Sequence, residues 1–180
     1  MSKTLREIVE SRPRRERLEV IARLYEDINN GRVKLVDPKP PSSMLEYLLR
    51  LEYTLWFYTA LGLTVASILF ITLSSHYNTL YPFRYIFGAL YTAFLPGYSI
   101  VEALYPREGQ LSDIEKLGLS IALSLAVVPM LGFALNYSHE GITLNRILAA
   151  NTAVILVTLL LALYRKYKIV AERTKTFRSF

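Results

Sequence analysis

Few side chains in this sequence could do chemistry, and their positions restrict which chemistry that is. Glu102 and Arg84 are the only charged residues inside four long apolar stretches, near the two ends of the second one. A carboxylate at membrane depth is a candidate proton or cation site, or else an anchor that pairs with a nearby cation. Glu102 sits about one turn from the end of its stretch, within reach of Arg107 or Lys116. Asn151 in the fourth stretch and Ser124 in the third are the other candidate intramembrane polar groups. Asn151 must hydrogen-bond to another helix, because an unpaired amide in hydrocarbon costs free energy. His76 and His139 fall in two loops with Arg84, Glu140 and Arg146, and read as solvated side chains more readily than as a metal or anion site. The chain has no cysteine, which excludes disulfides, thiolate metal sites and cysteine nucleophiles. No phosphate-cradling, zinc-hydrolase or serine-triad motif occurs, so neither enzymatic activity nor a cofactor nor a metal is expected.

The elements that must carry these groups are four apolar segments at about 53–73, 83–105, 117–135 and 147–164. Each approaches the roughly 20 residues a helix needs to cross a bilayer. A soluble helix would show a charged face, and these do not. The expected fold is all-α: a polytopic membrane protein with four transmembrane helices. The first segment follows about fifty polar residues, too far in for a signal peptide. Eleven Lys and Arg precede it, six follow the last segment, and Arg107 and Lys116 occupy the middle loop, while the other two loops hold one each. By the positive-inside rule both termini are cytoplasmic, in a multi-pass protein of the cell membrane. The net charge of +6 is then a matter of topology, and nucleic acid is not an expected partner.

Residues 1–42 form a cytosolic appendage, 43–168 the transmembrane domain and 169–180 a basic tail. In the appendage Leu18, Ile21, Leu24, Tyr25 and Ile28 make a helical stripe, ended by Asn29-Asn30-Gly31. A short strand at 32–36 and a Pro-rich linker follow. Ser43 with Glu46, and Ser112 with Glu115, have capping-box spacing, and Glu46 can pair with Arg50. Tyr77, Tyr81 and Tyr85 suit one membrane interface, Tyr164 and Tyr167 the other. Arg165, Lys166 and Lys168 are placed to bind anionic lipid headgroups.

Small residues recur every fourth position at Ala89, Ala93 and Gly97, and again at Gly118, Ala122 and Ala126. Such stripes let backbones approach closely, so the two are expected to face each other. Pro96 and Pro129 should kink their helices and free the carbonyls near Thr92 and Leu125, with Ser124, Thr92 or a bound lipid headgroup as candidate partners. Asn136-Tyr137-Ser138 is a glycosylation sequon placed against the membrane, where an enzyme has poor access.

The stretch from Arg84 to Tyr137 resembles the archaeal membrane proteins grouped as domain-of-unknown-function family 1616. The resemblance is carried by Leu95-Pro96-Gly97-Tyr98, Leu104-Tyr105-Pro106-Arg107, the acidic start Asp113–Glu115 and the Ser120, Ser124, Pro129 pattern. Gly31–Pro38 and Tyr47-Leu48 add to it, while Lys116 stands where an arginine is usual. It implies an archaeal origin and a multi-span fold, and no activity. Absent cysteine and a single glutamine, Gln110, fit a thermophile. The expected function is a non-catalytic subunit or scaffold of a larger archaeal membrane assembly, with membrane lipids and partner subunits as its contacts. One alternative is an accessory protein binding lipid-linked sugars or polar lipids beside Pro96 and Pro129. Another is a small transporter or pore using Glu102.

Overall fold

The structure, a computed structural model, describes residues 11, 13, 16–29, 41, 43–74, 77–107, 109–137 and 141–178. The chain divides into two units, Met1–Pro40 and Pro41–Phe180. In the first, helix α1 (Arg17–Asn29) forms where the apolar stripe predicts it. The strand expected at 32–36 lies outside the described residues.

The second unit contains α2 (Met44–Leu49), α3 (Leu51–Leu73), α4 (Tyr81–Ala93), α5 (Leu95–Leu104), α6 (Asp113–Asn136) and α7 (Leu144–Arg178). A short 3-10 turn, Asn78–Leu80, precedes α4, and no strand occurs among the described residues. Four segments are long and apolar enough to cross a membrane: Leu51–Leu73, Tyr81–Leu104, Asp113–Asn136 and Leu144–Glu172. Within hydrocarbon every backbone group must be paired internally, which a helix does for all but its ends. Threonines in α3 follow the same logic: Thr64 turns its hydroxyl back onto the Ala60 carbonyl at 2.8 Å.

Side chains set the ends. Ser43 accepts from the Glu46 N–H, and the Glu46 carboxylate reaches Arg50 at 2.7 Å. Ser112 and Glu115 form a complete reciprocal capping box at the start of α6. Between α2 and α3 the chain is extended at Arg50, and the Leu48 carbonyl this leaves receives the Thr54 and Tyr58 hydroxyls, each at 3.1 Å.

The second long segment is two helices rather than one. It breaks at Phe94, and Pro96 lies in the first turn of α5. A proline there loses nothing, because first-turn N–H groups have no intrahelical acceptor. Pro129 differs, since α6 runs through it without interruption and the residue is exposed. Of the two expected disruptions, only the one at Pro96 divides a helix.

Helix α5 packs against both α6 and α7, and α3 packs mainly on α4. Leu148, Ile155, Leu159 and Leu163 line the buried side of α7. Phe70 of α3 stacks on Phe87 of α4, with ring centres 4.5 Å apart. Tyr47 of α2 meets Tyr167 of α7 edge-on at 5.9 Å, which fixes α2 beside the last helix. Tyr167 is therefore half-buried against protein, while Tyr164 is exposed.

Candidate functional site

The break in the second segment creates backbone groups without intrahelical partners, and neighbouring helices supply them. The N–H of Gly97, in the first turn of α5, donates to Ser124 Oγ of α6 at 2.8 Å. The Tyr91 carbonyl, in the last turn of α4, accepts from Asn151 Nδ2 of α7 at 3.2 Å. Tyr91 also turns its hydroxyl toward α7, 2.8 Å from the Leu148 carbonyl and 2.7 Å from Thr152 Oγ1. One turn further on, Thr158 donates to Ser99, which donates to the Pro96 carbonyl, both at 2.7 Å. A polar seam thus follows the buried side of the broken segment. Asn151 pairs across helices, as its position requires, through a backbone carbonyl. Ser124 serves a freed N–H rather than a freed carbonyl, and Thr92 bonds back to Gly88 of its own helix.

Two backbones approach closely at Gly97. A Cβ there would overlap the Ser120 carbonyl oxygen and stand 2.7 Å from the Ser124 nitrogen, so only glycine fits. The facing stripe on α6 is Ser120 and Ser124, both fully buried. Gly118, Ala122 and Ala126 lie on the opposite face and are exposed, as is Ala89; a Cβ on Gly118 would meet nothing within 4 Å. The expected meeting of two glycine–alanine stripes is therefore corrected. Ser124 wins the contact because its hydroxyl accepts the unpaired Gly97 N–H, which alanine cannot do, while the Ser120 hydroxyl turns back onto the Lys116 carbonyl of its own helix.

At its far end α5 carries Glu102, buried to 1% exposure. Two ammonium groups close on its carboxylate, Lys116 of α6 on Oε1 and Lys166 of α7 on Oε2. Each lysine also lies over an aromatic face: Lys116 is 5.3 Å from the centre of Tyr98, and Lys166 is 3.9 Å from that of Trp56. Arg165 donates to the Ala103 carbonyl at 2.8 Å, near the C-terminal end of α5. One carboxylate therefore ties three helices together. A buried charge of this kind persists only when paired, and removing its partners costs more than the pair itself contributes. Lys116 is a partner anticipated from the sequence. Lys166 is not; it reads there as a headgroup ligand, and only the fold turns it inward. Lys168 stays exposed, 3.9 Å from Glu172.

Beside the clamp lies a cleft of about 250 Å³ lined by Glu102, Lys116, Lys166, Arg107, Asp113 and the apolar Val101, Tyr105, Pro106 and Leu111. Its rim includes Gly109, whose φ of +78° turns the loop between α5 and α6. Among the described residues no three His, Asp or Glu are grouped to hold a metal. His76, His139, Glu140 and Ser138 lie outside the described residues, while Asn136 ends α6 with its side chain exposed.

No curated protein and no solved structure matches the chain. One family does match, the Domain of unknown function (DUF8471), over residues 57–179. This overturns the resemblance to family 1616, and the archaeal origin inferred from it falls too. The residues behind that resemblance have local physical causes in this fold: Pro96-Gly97 opens a helix at a close approach, and Ser112–Glu115 caps one. With more than half of its length matched, the chain belongs to the DUF8471 family.

Proposed function

We propose that the chain is a four-span membrane protein with both termini on the cytoplasmic side, serving as a non-catalytic subunit or scaffold of a larger membrane assembly. The topology rests on the distribution of Lys and Arg: nineteen of 21 fall at the two ends and the loop between α5 and α6. The observation that carries the subunit reading is the contrast among the four segments. The third is only 11% buried, against 33%, 44% and 33% for the others. Its outward face sets Gly118, Ala122 and Ala126 beside Ile114, Leu125 and Phe133, all exposed. Lipid tails gain nothing from small residues, whereas a second helix gains close van der Waals contact. A helix of another subunit is the occupant this face suits.

The test is affinity purification of the tagged chain from native membranes in a gentle detergent. A partner at fixed stoichiometry, lost when Ala122→Leu fills the face, is the expected result. A monodisperse chain without protein partners contradicts the reading.

A further inference from the structure

The cleft beside Glu102 has a chemistry that the clamp alone does not require. Its lining holds three cations, Lys116, Lys166 and Arg107, against two carboxylates, Glu102 and Asp113, so one positive charge is left over. Its other walls are apolar, and one of them, Tyr105, is exposed. Two of the ammonium groups are already oriented by Glu102 and held over aromatic rings, so little side-chain freedom remains to be lost on binding. A divalent cation is disfavoured there, because the one buried carboxylate is occupied by lysines.

We propose that this cleft binds an anionic phosphate group, as found in the phosphodiester of a lipid headgroup or in a small phosphate ester. Lys116, Lys166 and Arg107 would contact the phosphate oxygens, and the apolar walls would contact the attached carbon skeleton. The proposal rests on the reading of this end of the bundle as lying at a membrane surface, and a micelle experiment separates the two.

The full chain is purified in a neutral detergent and examined by native mass spectrometry. The probes are phosphatidylglycerol, phosphatidylcholine and glycerol phosphate. Insertion is checked independently by flotation with liposomes. Retention of phosphatidylglycerol over phosphatidylcholine is expected, and Arg107→Gln should weaken it about fivefold, equivalent to about 1 kcal/mol for one basic residue. Glu102→Gln should act in the opposite direction and strengthen retention, since it releases two lysines from an internal competitor. Displacement by glycerol phosphate would identify a soluble ester as a ligand, and its absence a lipid. Equal retention of both lipids with no glycerol phosphate adduct overturns the site, as does an Arg107→Gln chain that binds like the parent. Arg107 is exposed and outside the clamp, so that variant keeps the fold even if Glu102→Gln does not.

Discussion

The second and third long segments lie against each other, and apart from Pro82 at the start of the second each contains one proline, yet they accommodate it in opposite ways. The second is divided at Phe94, and its α5 half is buried at seven of ten positions. The third is continuous through Pro129 and buries only Ser120 and Ser124. The difference lies in what surrounds the proline. Around Pro96 stand Asn151 and Ser124, which take up backbone groups the division leaves unpaired. Pro129 is exposed and has no such company. A helix can be divided in the centre of a bundle because its neighbours complete it.

Variants can break this contrast. The largest effect is expected from removing both lysines of the clamp. Lys116→Gln with Lys166→Gln leaves Glu102 buried and uncompensated, at a cost of about 3–5 kcal/mol. Thermal unfolding in detergent should show a large loss, most of it restored by adding Glu102→Gln. Next comes Gly97→Ala, which forces α5 away from Ser120 and should cost about 1–3 kcal/mol. The same change at Gly118 has open space around it and should cost nothing, gaining about 0.5–1 kcal/mol from helix propensity. Asn151→Ala removes one interhelical bond to the divided segment, worth about 0.6–1.7 kcal/mol. Pro129→Ala should have the opposite sign and stabilise, because it restores the N–H that the Leu125 carbonyl lacks. Equal losses from Gly97→Ala and Gly118→Ala would erase the distinction between the two faces of α6.

How much of this could be read in the sequence follows from the range of each interaction. Hydropathy and capping act within one segment, so the helices at 51–73, 113–136 and 144–172 and the box at Ser112–Glu115 were legible. So was Glu102 as the principal buried charge, with Lys116 one turn beyond the loop. The division at Phe94 was only half legible, since Pro96 signals a disturbance but not whether neighbours will complete it. Lys166 and Trp56 were missed because they meet across the bundle from distant parts of the chain. The face of α6 was misread for a related reason. Gly118, Ala122 and Ala126 match a helix-packing pattern, and so do Ser120 and Ser124. Only the unpaired N–H of Gly97 decides which pair of stripes meets.

The outward stripe of α6 is where the subunit reading can be tested most directly. A photo-crosslinking residue at Leu125, on the edge of that stripe, is compared in intact membranes with one at Val65, an exposed position of α3. Adducts to a discrete protein from position 125, with lipid adducts alone from position 65, are predicted. Lipid adducts alone from both positions would contradict the reading.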